Sequence, residues 1–377
     1  MDNEKQKTND PVSGPLNWRR FIPTNWQSIL STTLIAVVVY ILSLFGVKSP
    51  VVVPPMPAPV FPDNWVVFEK DNVNRGFPTG WTAPREEDRK QALATPGVWE
   101  FKNTEASTAE FGDDVDIYLW KASKLVRGQL IPTRNQGSVG SCVSFGFGAA
   151  YEYAVDAQIA SGKSIQEPVE VVQELLYGGG RVESNGGRSP IIGDGSTGSW
   201  QARWLATGGA IKRGVYGSMD LRQYDQARCR LWGKNGVPDE LEPIAKPNTA
   251  SCALVLSAED LRKALAQKYP VAVCSNQGFS SVRDSNGFAS PQGEWGHCMV
   301  FIGYRSDIKG FYCLNSWGED WISGPIGPGE PPPGGFWVRW DVADRMMKQR
   351  DSYAVSNVKG FPKRKLDVND WIIQGAH

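Results

Sequence analysis

The 377-residue chain carries 40 basic and 40 acidic residues, so no global field recommends a nucleic acid or an anionic surface as partner. With 41% hydrophobic residues and 15 Trp, it has the means to bury a sizeable core in one large domain or two ordinary ones. Six cysteines without a C-x-x-C pair exclude a small disulfide scaffold, and two histidines, His297 and His377, leave too few ligands for a Cys/His zinc site.

Residues 1–27 are polar and read as a cytoplasmic tail, with Lys5, Lys7, Arg19 and Arg20 ahead of an uncharged run from Ser28 to Val47. A helix of about 20 residues spans roughly 30 Å, the hydrocarbon thickness of a bilayer, so 28–47 is expected to be a transmembrane anchor. A cleaved signal peptide is the rival, but the run is long for one and no small-x-small site follows it. After the span only Lys48 is basic before Lys70, so the positive-inside rule puts the N-terminus in the cytoplasm and the rest in the periplasm or outside the cell.

Prolines at 50, 54, 55, 57, 59 and 62 favour extended polyproline backbone, a semi-rigid stalk. Residues 64–109 show no clear periodicity and read as a prosegment, a stalk extension or a strap across the domain, so 48–110 is assigned as stalk and possible prosegment. A folded domain is expected over 111–360 and a tail over 361–377.

Within the domain, Phe145, Ala149, Tyr153 and Ala157 recur at helical spacing after Cys142, with Gly162 as a stop. A second helix is expected from Glu167 to Leu176, ended by Gly178-Gly179-Gly180, and a third over Ser199–Thr207. Ser257-Ala258-Glu259-Asp260 carries a capping-box pattern for another, which Pro270 ends. Strands are expected over Val271–Ser275, His297–Tyr304, Gly310–Asn315 and Gly335–Trp340. Helices first and strands second indicate an α+β fold of two segregated lobes.

The chemistry gathers at three places. Cys142 follows Asn135-Gln136-Gly137-Ser138-Val139-Gly140-Ser141 and opens a helix, a position that favours a thiolate. His297 stands at the start of one predicted strand and Asn315 at the end of another. A thiol needs a base, and an imidazole needs a partner that holds its tautomer, which an Asn amide oxygen supplies without charge. The Gln136 amide, with the backbone N–H of Cys142, suits a developing oxyanion.

The order Gln136, Cys142, His297, Asn315, with Asn315-Ser316-Trp317-Gly318 and Gly335-Phe336-Trp337, resembles the papain/cathepsin family of cysteine peptidases over about residues 116–356. The resemblance implies a helical left lobe and a β-barrel-like right lobe with a cleft between them. It implies Cys142 as nucleophile, His297 as acid/base, Asn315 as its orienter and Gln136 as oxyanion donor, with Trp317 shielding the His–Asn bond. Gly193, Gly195, Gly296 and Trp317 are the substrate-binding candidates. Val139 stands where the family usually has Cys, Val143 where it has an aromatic, and Gly193-Asp194-Gly195 lacks the usual Cys, so the family's cleft disulfides do not carry over. Residues 64–110 do not match the helical inhibitory propeptide.

The expected function is a membrane-anchored thiol endopeptidase acting on peptides or proteins through an acyl-enzyme, with no cofactor, no metal and no nucleic acid. Endopeptidase action is preferred over the family's carboxydipeptidase variant, which the resemblance implies would need extra histidines in an occluding loop. A cell-wall amidase or transpeptidase with the same Cys/His chemistry and a silent membrane-tethered binding module are the alternatives. Of the other cysteines, Cys274, Cys298 and Cys313 read as core, while Cys229 and Cys252 are placed to form a disulfide if the domain lies in an oxidising compartment. No feature sets an oligomeric state.

Overall fold

A computed structural model describes residues 77–162 and 166–364, together with the backbone of 373–375. The anchor expected at 28–47 and the proline-rich stalk lie outside the described residues. Among the described residues, no helix is long and apolar enough to cross a membrane.

The helices are α1 (Glu86–Ala94), α2 (Trp120–Arg127), α3 (Cys142–Ala160), α4 (Gln173–Arg181), α5 (Gly198–Thr207), α6 (Gln226–Asn235), α7 (Glu242–Ala245), α8 (Ala258–Ala266) and α9 (Trp340–Met347). The strands are β1 (Val98–Glu100), β2 (Val115–Tyr118), β3 (Val215–Tyr216), β4 (Met219–Asp220), β5 (Ser251–Leu254), β6 (Val271–Arg283), β7 (Ala289–Arg305), β8 (Gly310–Leu314), β9 (Gly335–Arg339), β10 (Tyr353–Ser356) and β11 (Ile373–Gly375). Helices α2–α6 make one side of the fold and the main sheet the other, a mixed α+β architecture.

The sheet runs β1-β5-β10-β6-β7-β2-β11, with β8 and β9 continuing from the other side of β7. It is open, since β1 and β11 do not pair, and the barrel-like closure expected for this lobe does not form. Register shifts at Ser275/Gln277, Gln277/Phe279 and Phe279/Arg283 bend the long β6–β7 hairpin, while β7 changes partner from β6 to β2 along its length. The strand preceding the expected domain start, β1, pairs in parallel with β5, so residues 98–100 are part of the same sheet.

The central helix α3 is buried nearly all round, which its many Ala and Gly allow. Gly146 is obligatory in that packing: a Cβ there would lie 2.9 Å from both Cys298 Sγ and Met299 O on β7. The helix α4 starts and ends later than its sequence pattern indicates, because Gly178, Gly179 and Gly180 lie inside it rather than after it. They serve close approach, not termination. A Cβ on Gly179 would lie 2.1 Å from the Trp204 ring of α5, and one on Gly178 would lie 3.0 Å from Trp232 O of α6. The polar helix α1 buries only Asp88 and Ala92, which explains why no apolar period announces it.

Candidate active site

The loop ahead of Cys142 is pinned from both sides. Arg134 forms an ion pair with the buried Glu152 of α3 at 3.1 Å and another with Glu170 at 2.8 Å. Its carbonyl accepts from Gly318 N, and Ser316 O accepts from Gln136 N at 2.9 Å. The loop that leads to the thiol is thus sewn to the loop that follows β8. Cys142 itself is the first residue of α3 and is fully buried, with its sulfur at the backbone N–H groups of Cys298, Val143 and Cys142. The Cys298 contact brings the sulfur beside the neighbour of His297.

His297, on β7, and Asn315, just past β8, meet directly: Nε2 lies 2.7 Å from Asn315 Oδ1. The same Oδ1 accepts from Ser316 N at 2.7 Å, which identifies it as the amide oxygen. His297 Nε2 is therefore the donor, and Nδ1 is buried without a hydrogen-bond partner. Trp317 lies over the imidazole, with ring centroids 4.4 Å apart and a 32° tilt. Ser316 Oγ donates to Gln136 Oε1 at 2.7 Å, turning the Gln136 NH₂ toward the cleft.

A strap formed by Phe77 to Thr82 fills that cleft. Phe77 stacks on Trp317 at 5.0 Å. Pro78 O accepts from Gln136 Nε2 at 3.2 Å and from Trp317 Nε1 at 3.0 Å, while the other Gln136 N–H goes to Val139 O at 2.9 Å. Both donor hydrogens of Gln136 are thus taken. Gly80 and Trp81 donate to Gly296 O at 2.9 and 2.7 Å, Thr82 N donates to Ser196 O, and Ser196 N donates to Gly80 O at 2.8 Å. The approach is tight: a Cβ on Gly80 would lie 2.0 Å from Gly140 O, two residues before Cys142.

Of the substrate-binding candidates, Gly296 and Trp317 touch the strap directly. Gly193 and Gly195 do not pair with it; their carbonyls accept from the buried Arg181, and the edge residue is Ser196. Ser196 has no sequence signal beyond the repeated glycine before it, whereas Gly140 lies in the small-residue stretch ahead of Cys142 and a strap across the domain is one of the three readings open for residues 64–109.

The sequence pattern described as papain family cysteine protease matches residues 119–324, more than half of the chain. This chain belongs to the papain family of cysteine proteases. It is a cysteine-type peptidase, a hydrolase. The structure is similar to xylellain, a cysteine protease from Xylella fastidiosa, with a TM-score of 0.51 and 15% identity over 78% of this chain and 100% of that one. Procathepsin L2 from Tenebrio molitor larval midgut is matched at a TM-score of 0.46, with 16% identity over 74% of this chain and 78% of that one. No curated protein matches the chain.

Burial holds the Cys142 thiol well above its ordinary range, with the Cys298 thiol adding to the effect. Burial pushes His297 down to about 4, against the opposing bond to Asn315. Burial thus opposes the charged forms of both groups, against the preference for a thiolate at the helix start. The six cysteines are all free and buried, so the Cys229–Cys252 pairing does not form.

Proposed function

We propose that this papain family protease is an endopeptidase in which Cys142 is the nucleophile, His297 the acid/base, Asn315 its orienter and Gln136 the oxyanion donor. The observation that carries the reading is the buried 2.7 Å His297 Nε2–Asn315 Oδ1 bond, which leaves Nδ1 unpartnered under Trp317. In that arrangement His297 Nδ1 takes the Cys142 proton and the sulfur attacks the peptide carbonyl. A C–S bond forms, and the oxyanion is held by Gln136 Nε2 and the Cys142 backbone N–H. Collapse breaks the C–N bond as His297 gives its proton to the leaving amine. Water, deprotonated by His297, then attacks the thioester, and the acid leaves with Cys142 restored.

In this reading the strap must leave the cleft first, since its Pro78 carbonyl holds the Gln136 donor. The uncharged run at 28–47 supports a single-pass anchor with the catalytic domain outside the cytoplasm. The test is covalent labelling of the full chain by an electrophilic peptide, run beside Trp81→Ala, with Cys142→Ala as blank. Labelling should be confined to Cys142 and lost in the blank. Peptide hydrolysis that persists in Cys142→Ala would overturn the assignment.

A further inference from the structure

We propose that Cys298 and Cys274 are a resolving thiol pair for Cys142. When a peroxide oxidises the nucleophile, Cys298 captures it as a disulfide, and Cys274 then draws that disulfide onto the β6–β7 strand pair. The inference rests on the reading of Cys142 as the reactive thiol. It goes further, because peptide hydrolysis makes no use of the Cys298 or Cys274 side chain.

Three of the cysteines meet at one place. Cys274 on β6 and Cys298 on β7 are direct cross-strand partners, and both are fully buried. Neither spends its backbone N–H on the other strand: Cys274 N donates to Ser352 Oγ at 3.2 Å, and Cys298 N points at the Cys142 sulfur. A non-hydrogen-bonded antiparallel pair of this kind holds its Cα atoms about 4.5 Å apart, within the roughly 4.4–6.8 Å that a disulfide spans. The two thiols interact across the strands. Cys298 Sγ also faces α3, since a Cβ on Gly146 would lie 2.9 Å from it. Gly146 follows Cys142 by one helical turn, so the nucleophile and Cys298 lie along the same face of that helix. Cys313 belongs to the other face of β7, where its Sγ lies 3.8 Å from Met299 Sδ.

Once the strap has left, Cys142 is an uncovered thiol at a helix start, the kind of position that oxidises first. Its sulfur attacks hydrogen peroxide, the O–O bond breaks, and the products are a sulfenic acid and water. The Cys298 sulfur then attacks the Cys142 sulfur. An S–S bond forms, the S–O bond breaks, and the Cys298 proton leaves with the hydroxide as a second water. Cys274 next attacks the Cys298 sulfur, and its proton passes to the Cys142 sulfur as the first S–S bond breaks. One peroxide has become two waters, two thiols have become one disulfide, and the nucleophile is a thiol again. A second oxidation of Cys142 then finds no resolving thiol and continues to the sulfinic acid.

The experiment treats the full chain carrying Trp81→Ala, in which the cleft is released, with an equimolar amount of hydrogen peroxide. Intact mass, disulfide mapping and peptidase activity are followed together. The chain should lose two hydrogens, with Cys298 bridged first to Cys142 and then to Cys274, and activity should fall and recover without added reductant. Adding Cys274→Ala should stop the sequence at the Cys142–Cys298 bridge, so that recovery needs dithiothreitol. Adding Cys298→Ala should give no bridge and a Cys142 sulfinic acid that dithiothreitol does not reverse. In Cys142→Ala the Cys274–Cys298 bridge should form slower by about tenfold or more, since those thiols lack the nucleophile's helix-start position. Sulfinic acid appearing on Cys142 as fast with Cys298 present as without it would overturn the proposal, as would a bridge that maps to other cysteines. A Cys274–Cys298 bridge forming equally fast in Cys142→Ala would overturn it too, and all three results leave the peptidase assignment standing. Peptide hydrolysis retained in Cys142→Ala would instead remove the catalytic assignment, and this inference with it.

Discussion

Replacing Trp81 by Ala should release the strap. The side chain is almost wholly buried and donates to the Asp351 carboxylate. Truncating a buried Trp costs about 3–5 kcal/mol, and each 1.4 kcal/mol or so is tenfold in an equilibrium. The ratio of covered to open cleft should then fall by roughly 10² to 4 × 10³, and the rate of Cys142 labelling should rise by up to the same factor until the open form predominates. Trp81 precedes α1 and β1, so the loss is local and the melting midpoint of the domain should move little. Gly80→Ala provides an independent route, because its Cβ would meet Gly140 O at 2.0 Å. The assay is the second-order rate of Cys142 modification, read by mass, in wild type and both variants. A rise under about threefold in both, less than about 1 kcal/mol, would refute the strap's role as a cover.

Three further outcomes follow from the same geometry. In the strap-released background, Asn315→Ala should lower kcat about 10- to 100-fold with KM little changed, since it removes a buried bond and leaves His297 without the partner that orients it; steady-state peptidase kinetics check it. Ser316→Ala deprives Gln136 Oε1 of its donor, worth about 0.5–1.5 kcal/mol, and should lower kcat by up to about tenfold through a misdirected oxyanion donor. The covered form should lose stability as pH falls, because His297 is held near 4 in the fold against about 6.5 when unfolded, so the unfolded chain takes up the proton first. Its contribution is full above about 6.5 and gone below about 4. The slope of melting temperature against pH in that window should be shallower in His297→Asn than in wild type, and parallel slopes would contradict the account.

Much of the domain could be read locally. The start of α3 at Cys142, the αL stop at Gly162 and the Ser257 cap are short-range features, and the apolar runs of β7 and β8 are visible over a few residues. The family, too, was legible, because the residues flanking Cys142, His297 and Asn315 are contiguous in the chain. The glycines of α4 misled for a physical reason: a helix tolerates Gly where neighbouring helices leave no room for a Cβ, and that crowding is a property of Trp204 and Trp232, not of the local sequence.

What the sequence by itself determined is the set of reactive groups, their flanks and the lobe order, since each depends on side-chain type and near spacing. Only the tertiary structure decided that the sheet stays open, that Ser196 rather than Gly193 or Gly195 edges the cleft, and that Phe77–Thr82 occupies it. The contact that anchors the strap joins Trp81 to Asp351, 270 residues apart. No periodicity or motif encodes such a pairing, because it depends on the fold bringing a buried carboxylate, a helix N-terminus and a distant indole to one point.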